Sequence, residues 1–471
     1  MRWTAVVALA LAAASANAPE GPTTPPATTT APATPTTTPP PLLSLDGGPS
    51  DAGSPDAGPP APPPEPPGLT PARLADIQAA LQAARIDAWL LTDFRGMDPI
   101  APRVLRLDKE PGSRRWFCLI PARGQPQKLV HAIEPDALDG VPGPTALYGA
   151  WRARDRELGR ILRGARTVAM QYSARAELPM ASRVDAGTVE LVRSLGVEIA
   201  SSAGLVAQLE SVLTPDELAS QARASERVAA ALEATAQEAA RRVRAGAPAS
   251  ERELQEYALA RFAQDGLTTD GGRAIVAADA HSAVPHYAPE ATGSALVGKG
   301  SVLLLDFAAR MAGSPRAIYA DLTRVYFLGE RTPDEVGRIA QIVFRARDAA
   351  LQLLRFRAEW SKAVGGAEVD GAARKVIAEA GFAERFLHRT GHSLGVRAHG
   401  DGVNNDDFET RDARPHLANT CFSVEPGIYL TGRFGVRSEI DVCLVKDATG
   451  KLAVDVRGGE PQKSVPALLA P

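Results

Sequence analysis

Cysteine is scarce: 471 residues hold three, Cys118, Cys421 and Cys443. Three cysteines do not make a disulfide framework, so packing must hold the fold. Cys421 and Cys443 each stand four residues from a glutamate, Glu425 and Glu439. On paired strands that spacing puts each cysteine on its glutamate's face. A bond between them is one outcome, and two buried thiols are the expected one. Excess charge is also missing, since 52 Lys and Arg face 55 Asp and Glu for a formal net charge of −3. Without a concentrated basic surface, neither a nucleic-acid backbone nor an anionic membrane is an expected partner. Long apolar runs are absent beyond the N-terminus, because charges interrupt each one, and no transmembrane segment is expected in a mature chain.

The first residues read as an export signal, residues 1–18. Arg2 supplies a positive start, Ala5 to Ala14 an apolar run, and Ala14-Ser15-Ala16 or Ala16-Asn17-Ala18 a small-residue cleavage site. Pro19 directly follows the second site and disfavours it. The chain is therefore expected in a periplasm, a cell envelope or the medium. Residues 19–67 are rich in Pro, Thr, Ala, Ser and Gly and poor in large apolar side chains. Such a segment cannot bury enough surface to offset its ordering entropy and is expected to be a spacer.

From Leu69 onward the pattern is globular, and the fold class expected is α+β. Residues 68–210 read as a smaller α/β domain. Thr70-Pro71 opens a helix with the apolar face Leu74, Ile77, Leu81, and strand-like runs follow at Ala88 to Leu91, Trp116 to Ile120, Lys128 to Ala132 and Thr167 to Gln171. A second domain covers 211–462, before a tail at 463–471. It opens at Thr214-Pro215-Asp216-Glu217, a capping box, and the same tetrapeptide recurs at Thr332-Pro333-Asp334-Glu335. Each precedes a long amphipathic helix, a glycine-containing break and a second helix, a hint of two related halves.

Acids inside apolar, strand-like stretches carry the chemistry. Asp306 ends Val302-Leu303-Leu304-Leu305, and Asp321 lies in Ile318-Tyr319-Ala320-Asp321-Leu322. Glu425 precedes Pro426-Gly427, Glu439 follows Arg437-Ser438, and His392 stands in Thr390-Gly391-His392-Ser393. A buried carboxylate is costly unless paired or bound to metal. Four together cannot all ionise unaided, and two divalent cations would balance them. An imidazole among carboxylates suits manganese, with cobalt, iron or zinc as rivals.

In these motifs the sequence resembles the pita-bread metallopeptidases, a family that includes prolidase, Xaa-Pro aminopeptidase, methionine aminopeptidase and the metal-free creatinase. The likeness runs from about Leu69 to Asp447, loosely in the first half as a creatinase-like domain and motif by motif in the second. It implies that Asp306, Asp321, His392, Glu425 and Glu439 hold two metals, with Asp321 and Glu439 bridging. It further implies substrate-side roles for His286 and His399, a site-orienting role for Arg437, and Glu425 as the proton shuttle. Arg411 occupies the place of a basic residue that clasps a product's carboxylate in the family's dipeptidases. The activity implied is cleavage of the bond before proline in small peptides with proline second, and a homodimer is in keeping with the relatives. A longer-peptide aminopeptidase and a catalytically silent binding module are the alternatives. Two departures stand out: the 15-residue interval between Asp306 and Asp321 exceeds the family's usual spacing, and Gly400 follows His399 where many relatives carry glutamate.

Overall fold

A computed structural model describes residues 67–471 other than Pro111 and Arg273. The expected signal, 1–18, and all but the last residue of the expected spacer lie outside the described residues. The first helix, α1 (Pro71–Ala84), starts where Thr70 Oγ1 accepts the Arg73 N–H at 3.2 Å, and it buries Ile77, Ala80 and Leu81. It is followed by β1 (Ala88–Asp93), α2 (Ala101–Val104), β2 (Trp116–Pro121), β3 (Gln127–His131) and β4 (Thr145–Tyr148). Then come α3 (Trp151–Ile161), β5 (Thr167–Met170), α4 (Ala186–Ser194), β6 (Glu198–Ser201) and α5 (Ala203–Glu210). The six strands form one mixed sheet in the order β4-β3-β2-β1-β5-β6. All of β1 is buried, as befits a central strand covered on both faces.

Next, α6 (Pro215–Arg244) opens with the expected box: Thr214 Oγ1 accepts the Glu217 N–H, and the Glu217 carboxylate accepts the Thr214 N–H at 2.8 Å. Beyond it lie α7 (Glu251–Gln264), β7 (Leu267–Thr268), β8 (Ile275–Ala278), β9 (Val302–Met311) and β10 (Ala320–Phe327). The second tetrapeptide behaves differently. Pro333, not Thr332, is the cap of α8 (Asp334–Glu359), and the Thr332 hydroxyl instead donates to the Val465 carbonyl at 2.9 Å. A tertiary acceptor has outcompeted the local cap. The chain continues through α9 (Gly366–Glu379), β11 (Ser393–Leu394), β12 (Thr420–Val424), β13 (Gly427–Leu430), β14 (Phe434–Arg437), β15 (Ile440–Lys446) and β16 (Leu452–Arg457). Among the described residues no helix is long and apolar enough to cross a membrane.

Strand alternation explains where the site opens. On β9, Leu303, Leu305 and Phe307 pack with α6 and α7, while Val302 and Leu304 join the core beneath α8 and α9. On β10, Leu322 and Tyr326 face the first core, and Val325 and Phe327 the second. Asp306, Asp321 and Thr323 continue that second face, in a β9–β10 register that pairs Thr323 with Asp306 and Asp321 with Ala308. Each apolar side chain buried below them contributes roughly 1.5–3 kcal/mol, which carries the cost of ending the face in acids. The long Asp306–Asp321 interval is absorbed by the loop 312–319, and both acids keep one face.

The segment 402–416 is pinned against this body by His416. Its Nε2–H donates to Asn405 Oδ1 at 2.8 Å, and its ring centroid lies 4.0 Å from that of Phe422. Burial is the chief cause that pushes its pKa down from 6.5 to about 3. The unfolded chain therefore takes up this proton below pH 6.5 while the folded chain refuses it. Stability from His416 is complete above pH 6.5 and falls by up to about 1.4 kcal/mol per pH unit toward pH 3. In urea titrations between pH 6.5 and 5, His416→Gln should show a pH slope smaller than wild type by about one proton.

Candidate metal centre

Two strands and the flanks of three others bring the acids and the histidine together. Asp306 and Asp321 come from the β9–β10 hairpin, Glu425 from just past β12, Glu439 from just before β15, and His392 from just before β11. Atoms of Asp321, His392 and Glu439 lie within 4.8 Å of one another, all buried. His392 Nε2 stands 3.4 Å from Asp321 Oδ2 and 3.5 Å from Glu425 Oε1. Its Nδ1 faces the Ser393 carbonyl at 3.2 Å. A carbonyl only accepts, so Nδ1 carries the hydrogen and Nε2 aims its lone pair at the carboxylates. Burial also lowers the His392 pKa, which keeps that lone pair free.

The supporting hydrogen bonds have fixed directions. The Ser423 hydroxyl accepts from the His392 N–H at 3.0 Å and donates to Glu425 Oε1 at 3.1 Å. The Thr323 hydroxyl accepts from Arg437 Nε at 3.1 Å and donates to Glu439 Oε2 at 2.7 Å. Arg437, 2% exposed, also pairs with Asp306 and donates to the Tyr429 hydroxyl at 3.1 Å and the Pro285 carbonyl at 3.2 Å. The Tyr429 hydroxyl in turn donates to His388 Nε2 at 2.7 Å, whose Nδ1–H is held by the Arg389 carbonyl at 2.8 Å. Arg437 stands out in the sequence, whereas Thr323, Ser423 and Tyr429 do not. Thr323 and Ser423 each stand two residues from a named acid, Asp321 and Glu425, and strand alternation alone marks them as facing the same way.

The donor set fits a divalent cation. Asp321 Oδ1 and Glu439 Oε1 are buried without any hydrogen-bond partner among the described residues. Two such orphans beside an imidazole lone pair are costly unless a cation takes them. The 4.8 Å spread is close to that of donors bonded at roughly 2.0–2.2 Å to one ion. Burial first, then neighbouring carboxylates, raises Asp321 and Glu439 well above the usual carboxylate range, and burial raises Glu425. A bound cation would reverse those shifts.

His399 is exposed, with its ring centroid 4.2 Å from that of His392. His286 is exposed one residue beyond the carbonyl that Arg437 grips. Arg411 stands apart: it is exposed, and its backbone N–H donates to the Glu177 carbonyl at 3.3 Å. No hydrogen bond from its guanidinium is present among the described residues. The Gly400 departure has a steric cause. A Cβ there would sit 2.9 Å from Ser393 Oγ and 3.0 Å from the Leu394 carbonyl carbon, so no glutamate fits.

Residues 221–446 match the model of metallopeptidase family M24. That stretch, just under half of the chain, is where the family likeness lies, and it holds all five candidate ligands. Relatives include a probable dipeptidase PepE of Mycobacterium tuberculosis, 33% identical over 175 residues that cover 37% of this chain and 42% of the relative. An Xaa-Pro dipeptidase of Lactobacillus delbrueckii subsp. lactis is 32% identical over 187 residues, 39% of this chain and 45% of that one. The chain thus aligns with less than half the length of these relatives. In fold it is similar to dipeptidase PepE from Mycobacterium ulcerans, with a TM-score of 0.60 at 24% identity over 84% of this chain and 97% of that one. The pita-bread catalytic fold and its preceding smaller domain are therefore present.

Thr323→Val keeps shape and removes the hydroxyl that joins Arg437 to Glu439. Divalent-cation affinity, read by competition with a chelating dye, should fall by about 10–100-fold with the thermal fold retained, and Thr323→Ser should restore it.

Proposed function

We propose that this chain is an exported, two-metal peptidase that hydrolyses the bond before proline in dipeptides or short peptides, with manganese as its metal. The observation that carries this reading is the buried cluster of Asp321, His392 and Glu439 with two orphaned carboxylate oxygens. Asp306, Asp321, His392, Glu425 and Glu439 are the residues that would hold the pair. Bound there, the cations would lower the pKa of a water and polarise the scissile carbonyl.

The remaining work falls to the chain. Glu425, bonded at Oε1 by Ser423, uses its other oxygen to take the water's proton and return it to the leaving nitrogen. His399 donates to the developing oxyanion from the side of His392. His286 contacts the substrate at the open mouth, and Arg437 keeps Asp306 oriented from behind. An X-Pro nitrogen carries no hydrogen, so recognition rests on ring shape and on the peptide's termini. Arg411 is the basic group assigned to a free C-terminal carboxylate. Export is supported by the N-terminal run and by the bond between Cys421 and Cys443, a feature of oxidising compartments.

The test is an assay of chelated protein against Ala-Pro and a longer X-Pro peptide, with and without manganese. Manganese-restored cleavage of Ala-Pro alone is expected, and Arg411→Ala should raise the KM for Ala-Pro by roughly tenfold or more. Preference for the longer peptide would make it an aminopeptidase. Silence with every divalent metal would leave a binding module.

A further inference from the structure

The site's second pair of strands ends, at its other end, in a covalent bond. Cys421 and Cys443 are paired residues of β12 and β15 and form a disulfide, contrary to the expectation of two thiols. The adjacent positions made this available: the register places the two side chains opposite each other on one face. That face is a ladder. Ser423 opposes Asp441 two residues on, and Glu425 and Glu439 follow one residue beyond the last paired positions. The bond thus lies on the order of 13 Å from the glutamates along the same face.

The bond is also wired sideways. Gln221 of α6 places Oε1 3.7 Å from Cys443 Sγ and accepts there from Arg457 at 2.8 Å. That acceptor role leaves its Nε2 to donate to Asp441 Oδ2 at 2.8 Å, beside a 2.6 Å bond from the Ser225 hydroxyl. Asp441 then accepts the backbone N–H of Asp321 at 3.1 Å. The other side of β12 carries β11, with Leu394 opposite Cys421, directly after His392. Both sulfurs are buried with Leu213, Ile318 and Leu394.

Every group that would hold a cation, apart from Asp306, hangs on this ladder or is one hydrogen bond from it. A slip of β12 against β15 would turn Glu425 and Glu439 away from each other, because strand side chains alternate faces. We propose that the Cys421–Cys443 disulfide is a positioning element of the cation site, setting the register in which β12 and β15 present Glu425 and Glu439. The inference rests on the two-metal reading above. It has a reciprocal form: whatever factor the bond adds to cation affinity, bound cation adds to the bond's resistance to reduction.

The experiment measures manganese affinity by chelator competition on the oxidised chain and on Cys421→Ala/Cys443→Ala, with circular dichroism on both. A parallel sample is wild type reduced by a water-soluble phosphine, which becomes its oxide as the bond becomes two thiols, followed by intact mass. Expected is an affinity about tenfold or more weaker in the folded, unbridged chains. The ratio of oxidised to reduced chain in a thiol buffer should rise by the same factor at saturating manganese. Equal affinity in bridged and unbridged chains would overturn the inference while leaving the two-metal reading intact. Three free thiols in the unreduced chain would overturn it too, as would unfolding of both unbridged samples, since the bond would then staple the whole domain. Failure of the oxidised wild type to bind manganese would instead strike the two-metal reading, and the inference with it.

Discussion

One guanidinium organises the site. Arg437 is buried among acids, and four of its contacts lead to different parts of the chain: Asp306 on β9, Thr323 on β10, Tyr429 on β13 and the Pro285 carbonyl before His286. A buried cation of this kind is tolerable only where carboxylates surround it, and buried carboxylates only where something positive does. The two demands meet here, and Arg437 cannot balance the acids alone. The orphaned oxygens of Asp321 and Glu439 mark where more positive charge belongs.

Around that balance the fold divides its labour. The even-numbered positions of β12 and β15, Phe422, Val424, Ile440, Val442 and Leu444, close the core with α8 and α9. The odd-numbered positions carry the polar ladder. On β9 and β10 the same alternation runs until apolar residues give way to Asp306, Asp321 and Thr323. Polar groups are thus confined to one end of faces whose other ends are apolar. The hydroxyls of Thr323 and Ser423 set carboxylate orientation without adding charge.

Much of this was legible in the sequence, because acids inside Val-Leu-Leu-Leu and Ile-Tyr-Ala stretches violate the usual cost of burial and so announce themselves. The capping box at Thr214 was readable for a local reason, and the same letters at Thr332 misled for a tertiary one, the Val465 carbonyl. The short strands β4 and β6 were invisible, because four residues are too few to show an alternation. Thr323, Ser423 and Tyr429 escaped notice because a hydroxyl in a strand is unremarkable until its partners are known. The cysteine pair showed its shared face but not its bond. Gly400 was legible only as a departure, and the crowding by Ser393 and Leu394 gives its reason.

The candidate cation donors are spread from residue 306 to residue 439, across two sheets with α8 and α9 between them in the chain. No short stretch of unfolded polypeptide contains the set. Ion capture at this site would therefore have to wait for long-range strand pairing, the class of contact that is intrinsically slow to form. Since the ion would bind the finished fold and not the loose chain, its free concentration would act as a direct lever on how long the protein survives.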